Sequence, residues 1–366
     1  MREIDFSRGV PQAVPKLVHN LRRTVHEMTW TWRLIFLGMI LAGILLVYYK
    51  TILVWGTVNP LFVSMYTMPY PPPYMKHTFG AQGAIGEPPE GWKPKSRVVL
   101  TLTTMPHHLP LLRPALDSLL AQSLPADKIY LNIPEGRNRR NNMSYDEEIA
   151  KHHIVFPTGI TVNRCQDVGP LTKLLPAVLA EEKGDPDTII ITVDDDQVYP
   201  PDTVKYLAWY MEHYSDTAFG VCGWGFMWVP PPMGVVPVYL TYMQRGPAGT
   251  MVDVLQACCG NAYRVSWFDS AKLKNDLPSE CFTTDDLWIA GYLSAQGDIK
   301  KAIIPKRLDP DSPEWKANEP KKWRLSTVNT NDMKDMKCIN GVKRVYGDFK
   351  TVADPRTTTM VNKPRL

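Results

Sequence analysis

The chain has 366 residues and a formal net charge of +4 at pH 7, from 41 Lys and Arg against 37 Asp and Glu. This length accommodates one large folded domain with accessory segments, and the mild charge, which forms no long basic block, argues against nucleic acid as a partner. The six cysteines show no C-x-x-C spacing, which argues against a zinc ribbon or a thioredoxin-type site and leaves pairing between distant cysteines open.

The N-terminal region predicts a membrane anchor. Residues 34–55 are apolar apart from Lys50 and have about the length of a helix that crosses a bilayer. Six Lys and Arg precede this stretch within residues 1–33, whereas residues 56–75 carry no charge. By the positive-inside rule, residues 1–33 form a cytosolic tail and the remainder lies in the lumen, in the Golgi or the ER. The expected topology is that of a single-pass type II membrane protein, and the late apolar stretch disfavours a cleaved signal peptide.

Three further segments follow the anchor. Residues 56–95 are rich in proline and glycine, which predicts an extended stem. Residues 96–325 form the expected catalytic domain, and the basic, pattern-poor residues 326–366 predict a tail or lid. Asn142 begins an Asn-Met-Ser triplet that matches a glycosylation acceptor and agrees with a lumenal domain, although such triplets are frequent by chance.

Strand-like and helix-like segments alternate along the domain. The predicted strands are 98–103, 128–133, 160–164 and 188–193, and the predicted helices are 111–122, 171–182 and 204–214. This alternation predicts the α/β class, with a doubly wound, mostly parallel sheet. After position 218 the pattern loosens into short strands and turns, and one more helix is expected near Asp286.

The most informative segment is the apolar strand at 188–193 together with the three carboxylates that follow it, Asp194, Asp195 and Asp196. Because the side chains of a strand alternate between faces, Asp194 and Asp196 are expected on one side, roughly 6–7 Å apart. A divalent cation would relieve their repulsion and anchor phosphate oxygens. Ligands of open α/β sheets bind beyond the carboxyl ends of strands, where this triplet lies. A solvated acidic turn before Pro200 is the alternative.

Two other segments predict contacts with a nucleotide. Thr103 and Thr104 end the first strand, where hydroxyls and backbone amides meet ligands, unless this is an ordinary strand end. A turn at Gly169 would open a helix whose N-terminus favours anions. Lys173 would then reach a donor phosphate or ribose, and Asp167 would accept hydrogen bonds from the ribose or base. The alternative is that Asp167 caps the helix and Lys173 is solvated.

Four segments occur in an order that is similar to a known group. They are 98–106 (VVLTLTTMP), 167–174 (DVGPLTKL), 193–196 (VDDD) and 284–291 (TDDLWIAG). Together they resemble the glycosyltransferase family 2-like group, enzymes with a GT-A fold that use nucleotide-sugar donors. The resemblance covers roughly residues 96–300 and has no counterpart in the stem or the tail.

The resemblance implies roles for the acidic residues. Asp194 or Asp195 would contact the ribose and the metal, and Asp196 would be the main ligand of a Mn²⁺ or Mg²⁺ ion shared with the diphosphate of a UDP- or GDP-sugar. Asp286 would be the catalytic base of an inverting transfer, with Asp285 orienting it or binding the acceptor. From the residues alone, two acids in the first turn of a helix are also ordinary helix chemistry.

Aromatic, basic and histidine residues complete the set of candidates. Trp224 and Trp228 predict a platform for the sugar rings of an acceptor, with core packing as the alternative. The basic segment 321–324 predicts either a lid over the diphosphate or a solvated patch. Two histidine pairs are interpreted as surface or structural residues: His107-His108 and His152-His153.

The resemblance therefore implies a metal-dependent, inverting glycosyltransferase with a glycan, glycoprotein or glycolipid acceptor. A metal-dependent phosphoesterase or nucleotidyltransferase is an alternative, because clustered aspartates also serve two-metal phosphoryl chemistry. A non-catalytic lumenal glycan-binding protein is a second alternative. The chain has no P-loop, no dinucleotide fingerprint after a strand and no nucleophile elbow, which disfavours kinases, dehydrogenases and hydrolases.

Overall fold

The computed structural model of the chain describes residues 34–35, 38–39, 41–43, 45–46, 85–228, 235–242, 251–296, 299–306, 308–320, 329 and 334–347, without the side chains of 226–228 and 235–242. The chain divides into two compact units, Met1–Asn59 and Pro60–Leu366. The described residues of the first unit are helical. None of the helices formed by the described residues is both long and apolar enough to span a bilayer. The other residues of the predicted anchor at 34–55, and most of the predicted stem, lie outside the described residues.

The second unit alternates between strands and helices. Its described strands are β1 Val98–Thr103, β2 Lys128–Pro134, β3 Ile160–Cys165, β4 Ile189–Thr192, β5 Thr217–Gly220, β6 Gly223–Trp228, β7 Val235–Tyr242, β8 Val254–Leu255, β9 Asn261–Arg264 and β10 Lys300–Ile303. Its described helices are α1 Arg113–Leu120, α2 Tyr145–Lys151, α3 Leu175–Glu181, α4 Thr203–His213, α5 Ser270–Asn275, α6 Asp285–Ala295 and α7 Lys334–Tyr346.

The larger sheet has seven strands in the order β10-β5-β9-β4-β1-β2-β3. The pairs β10–β5, β4–β1, β1–β2 and β2–β3 are parallel, whereas β9 runs antiparallel to β4 and β5. Strands β7, β6 and β8 form a separate antiparallel sheet. The predicted α/β class with a mostly parallel sheet is thereby confirmed.

The first and fourth strands are neighbours at the centre of the sheet. Val98 of β1 pairs with Ile189 of β4, and Thr101 pairs with Thr192. All side chains of β4 are buried, as expected for a strand with packed elements on both faces. Each fully buried Ile or Leu of these strands contributes about 1.5–3 kcal/mol through the hydrophobic effect. Because the strands are parallel and adjacent, the segments that follow them emerge side by side at one edge of the sheet.

The observed boundaries of β4 change one expectation about the aspartates. The predicted strand spans 188–193, but β4 ends at Thr192. Asp194, Asp195 and Asp196 therefore lie in the turn after the strand, and the alternation of strand side chains does not set their directions. Contacts with neighbouring segments set them instead.

Helix α2 is one of the helices that were not predicted from the sequence. Ser144 caps α2 by accepting a hydrogen bond from the backbone N–H of Glu147 at 3.3 Å, and the first turn is acidic. A serine followed three residues later by a glutamate is the signature of a capping box, which was the available signal. Because α2 is short, it has too few apolar residues to show a helical period in the sequence.

Two segments predicted as accessory pack on the domain. In the predicted stem, Trp92 lies with its ring centroid 5.0 Å from that of Trp209 in α4. In the predicted tail, α7 buries Ile339 and Val342 in the same apolar cluster as Trp288 of α6. The apolar face of α7 was not predicted from the sequence, because charged residues surround its few apolar positions. Both segments are part of the folded unit.

The Cys281–Cys338 disulfide joins α7 to the segment before α6. Replacing both cysteines by alanine is expected to lower the free energy of unfolding by about 4 kcal/mol, since the bond closes a loop between positions 57 residues apart. Urea unfolding of the full chain in detergent measures the loss. Cys165→Ala, which removes a free thiol, is the control and should change stability by less than about 1 kcal/mol. An equally small loss in the double variant would contradict the assignment of the Cys281–Cys338 disulfide.

Candidate active site

A cleft of about 390 Å³ lies beyond the carboxyl ends of β1 to β4. Its wall includes residues that follow each of these four strands, which is where ligands of open α/β sheets bind. The wall contains the eight residues predicted to contact the donor or the metal: Thr103, Thr104, Asp167, Gly169, Lys173, Asp194, Asp195 and Asp196.

Lys173 joins the two acidic groups that the sequence singled out. Its Nζ lies 2.7 Å from Asp194 Oδ1 and 3.3 Å from Asp285 Oδ2. Its backbone carbonyl accepts a hydrogen bond from Thr101 Oγ1 at 2.5 Å, which fixes the segment against β1. Burial disfavours the charged ammonium, but three neighbouring aspartates outweigh burial and raise the pKa of Lys173 well above its ordinary value. A permanently charged lysine therefore sits between the triplet and the acidic pair.

Asp195 anchors the triplet to the end of β1. Its Oδ2 accepts a hydrogen bond from Thr104 Oγ1 at 2.6 Å and lies 2.9 Å from His108 Nδ1. Burial opposes ionisation, but the charge and hydrogen bond of His108 hold the pKa of Asp195 below its usual range. Burial also opposes the imidazolium, yet the charge of Asp195 raises the pKa of His108 to about 9. Without a bound metal, Asp195 and His108 therefore form an ion pair at neutral pH.

The negative charge around Asp196 exceeds the positive charge that Lys316 supplies. Lys316 Nζ lies 2.7 Å from its Oδ2. Burial, followed by the charges of Asp194 and Asp195, raises the pKa of Asp196 to about 6 despite this lysine. An additional cation at this position would relieve the repulsion.

The acidic pair begins α6 and is absent from the described residues that line the cleft. Asp285 is buried and ion-paired with Lys173. Asp286 accepts a hydrogen bond from the Ala257 N–H at 3.1 Å through Oδ1. Burial and then the charge of Asp285 raise the pKa of Asp286 well above its ordinary value. A raised pKa makes the Asp286 carboxylate a stronger proton acceptor.

The turn after β3 closes another side of the cleft. Asp167 Oδ1 accepts a hydrogen bond from the Gly169 N–H at 2.8 Å. Gly169 has φ +67°, and a Cβ there would lie 2.3 Å from the Phe282 carbonyl oxygen, so the turn requires glycine. The Arg139 guanidinium lies 5.1 Å from the centroid of the Phe282 ring and donates to the Asp167 carbonyl at 3.1 Å. One end of the cleft therefore presents the Asp167 carboxylate and the Arg139 guanidinium, which lies over the Phe282 ring.

The structure places the remaining predicted residues elsewhere. Trp224 packs in an apolar cluster at 7% exposure, so it has no open ring face and the prediction of an acceptor platform there is corrected to core packing. Trp228 belongs to β6, and its side chain lies outside the described residues. Asn142 is exposed in a turn with φ +57°. The basic segment 321–324 also lies outside the described residues.

Sequence reasoning missed five basic or acidic residues of the cleft wall: His108, Arg139, Arg140, Lys316 and Glu319. His108, interpreted as surface or structural, is buried against Asp195, while Lys316 and Glu319 come from a segment without a periodic pattern. Lys316 and Asp196 are 120 residues apart. No local spacing indicates such pairs, because only the tertiary fold brings these segments together.

The donor set of the triplet fits a hard divalent cation. Asp194 and Asp196 supply carboxylate oxygens in the cleft. The pKa of Asp196 is raised by burial and then by the charges of Asp194 and Asp195, and a divalent ion would offset those charges. Within the described residues, the triplet does not bring three ligand atoms within 4.8 Å of one another. An ion there would therefore need oxygen ligands from a bound diphosphate and water as well.

Comparisons with family models and with curated proteins found no match. Similar solved structures include mannosyltransferase PcManGT of Pyrobaculum calidifontis, in complex with GDP-Man and Mn²⁺, at 13% identity over 79% of this chain and 74% of that one, with a TM-score of 0.42. TarS of S. aureus matches at 12% identity over 68% and 71%, TM-score 0.38. The cytidylyltransferase IspD of Francisella tularensis matches at 12% identity over 64% and 99%, TM-score 0.36. At these scores the likenesses carry no argument about the activity.

Proposed function

We propose that this chain is a metal-dependent, inverting glycosyltransferase that moves a sugar from a UDP- or GDP-sugar to a glycan, glycoprotein or glycolipid. The observation that carries the proposal is the position of Lys173 between Asp194 and Asp285. Lys173 thereby joins the triplet to the acidic pair, of which Asp286 is the candidate base. In a transferase that uses an activated sugar, the acceptor oxygen attacks the same carbon that the diphosphate leaves. The groups that act on the acceptor and on the diphosphate must therefore lie close together.

The cleft divides into parts that suit the parts of a nucleotide sugar. Asp167 offers acceptor oxygens for a ribose or base, and the stacked Arg139 and Phe282 offer a flat face. Lys173 and Lys316 place two ammonium groups near the triplet, where a diphosphate would lie. Binding of the nucleotide in this order directs the sugar toward α6.

Asp194 and Asp196 are the proposed ligands of Mn²⁺ or Mg²⁺. When bound, such an ion would supply Lewis-acid neutralisation of the charge on the departing nucleoside diphosphate. Asp195 holds the loop in place through Thr104 and His108. Lys173 orients Asp194 by direct pairing.

Asp286 is the proposed base. It accepts the proton of an acceptor hydroxyl as that oxygen forms a bond to the anomeric carbon and the bond from that carbon to the diphosphate breaks. Displacement from the opposite face inverts the anomeric centre. Burial raises the pKa of Asp286, which makes its carboxylate a stronger proton acceptor.

The proposed location is the lumen of the Golgi or the ER, behind a single-pass type II anchor at residues 34–55. Two disulfides, Cys222–Cys259 and Cys281–Cys338, support an oxidising compartment. An exposed Asn142 agrees with a glycosylated lumenal domain.

The test is acceptor-dependent release of nucleotide by the full chain in detergent, with a panel of nucleotide sugars, Mn²⁺ or Mg²⁺, and oligosaccharide, glycoprotein and glycolipid acceptors. We expect release from one nucleotide sugar that rises with acceptor and falls on chelation. Release without any transfer to acceptor would indicate a phosphoesterase. Formation of pyrophosphate from a nucleoside triphosphate would indicate a nucleotidyltransferase. Glycan binding with no turnover of any donor would indicate a binding protein.

A further inference from the structure

His107, His108 and Glu319 bring three metal-binding atoms together beside the cleft. One ligand atom from each lies within 4.8 Å of the other two. Glu319 Oε1 is 3.0 Å from His108 Nε2 and 3.7 Å from His107 Nε2, and all three side chains are less than 10% exposed. Two imidazoles and one carboxylate are a donor set that proteins use for zinc. We propose that these residues bind a zinc ion, at a site separate from the aspartate triplet.

The distances fit a tetrahedral ion. Zinc bonds of about 2.0–2.1 Å place two ligand atoms of a tetrahedron about 3.3–3.4 Å apart. The two measured separations lie on either side of this value. Small shifts of the Glu319 carboxylate make them equal, and a water molecule from the cleft completes the tetrahedron.

The surroundings of His108 match those of a zinc-bound histidine. Ligand histidines commonly donate their other ring N–H to a carboxylate, which fixes the tautomer and the ring. Here Nδ1 lies 2.9 Å from Asp195 Oδ2, so Nε2 is the ring nitrogen that faces Glu319 and that would bind zinc once its proton is lost. Nδ1 of His107 lies 3.2 Å from the Asn141 amide nitrogen, and zinc at Nε2 requires this amide to turn its oxygen toward an Nδ1–H instead.

The carboxylates of Asp195 and Glu319 lie at the two ring nitrogens of His108, so an ion bound at Nε2 would lie close to negative charge. It would join residues 211 positions apart in the chain. Because Glu319 lies three residues after Lys316, the ion holds Lys316 near Asp196.

The test is the metal content of the purified full chain. Protein stripped with a chelator and reloaded with Zn²⁺ in excess Mg²⁺ is expected to retain about one zinc per chain. Co²⁺ in place of zinc should show the intense visible absorption of a four-coordinate ion. His107→Ala and Glu319→Gln should each weaken zinc binding at least about 100-fold, a loss as large as that seen when outer-shell partners are removed elsewhere. Circular dichroism checks that both variants fold.

Two variants distinguish zinc at this site from zinc on a surface histidine or on the aspartate triplet. His152→Ala alters the exposed histidine pair and should leave zinc binding unchanged. Asp196→Asn alters the triplet and should also retain zinc. No zinc retained by the wild-type chain, or a six-coordinate Co²⁺ spectrum, would overturn the proposal. Zinc lost in Asp196→Asn but kept in His107→Ala would place the ion on the triplet and overturn it too. None of these readouts depends on transferase activity.

Discussion

Asp286→Asn is expected to lower the turnover of the nucleotide sugar about 100- to 10,000-fold, the usual contribution of a general base. The amide keeps the shape of the side chain and an oxygen for the Ala257 N–H but cannot accept a proton. Donor affinity should change little, because the residue does not line the cleft among the described residues. Steady-state kinetics and donor titration of the same preparation measure the two effects separately.

A matched control separates catalysis from ordinary helix chemistry. Asp146 also lies in the acidic first turn of a helix, α2, and its side chain is 66% exposed. Asp146→Asn removes the same favourable interaction with a helix N-terminus, worth about 0.3–1 kcal/mol, without touching the cleft. Turnover should therefore survive in Asp146→Asn. Equal turnover of Asp286→Asn and wild type, or loss of donor affinity alone, would remove Asp286 from the role of base.

Much of the fold was predictable because its signals are local. The strands at 98–103 and 188–193 are apolar runs between polar turns, and β1 has the predicted bounds. The edge of the sheet that carries the cleft follows from the rule for open parallel sheets. For this reason Thr104 and Asp195, 91 residues apart, could be assigned to one site from the sequence, and the structure shows them in contact.

The rest depends on contacts that no local pattern encodes. Strand β9 runs antiparallel between β4 and β5, and its four residues carry no sign of that direction. The cations that pair with the triplet come from three places, Lys173, His108 and Lys316. Only Lys173 stands in a segment with a family-like pattern. The directions of the aspartate side chains follow from these partners rather than from strand alternation.

Lys173→Met is expected to lower the free energy of unfolding by about 3–5 kcal/mol, the cost of removing one partner of a buried ion pair. Asp285 is only 8% exposed at its side chain and would lose the ammonium that lies 3.3 Å from it. Donor binding should be lost as well, because Asp194 loses the partner that orients it at 2.7 Å. Urea unfolding and nucleotide titration measure the two losses.

The double variant Lys173→Met/Asp285→Asn tests the physical cause. Removing the stranded carboxylate should restore part of the stability, so the two changes should be non-additive by roughly 0.5–3 kcal/mol. Lys183→Met, at an exposed position after α3, is the control and should stay within about 0.5 kcal/mol of wild type. A loss of that small size in Lys173→Met would mean that the lysine is solvated. The triplet and the acidic pair would then be independent groups, and the bridge that places base and leaving group in one site would not exist.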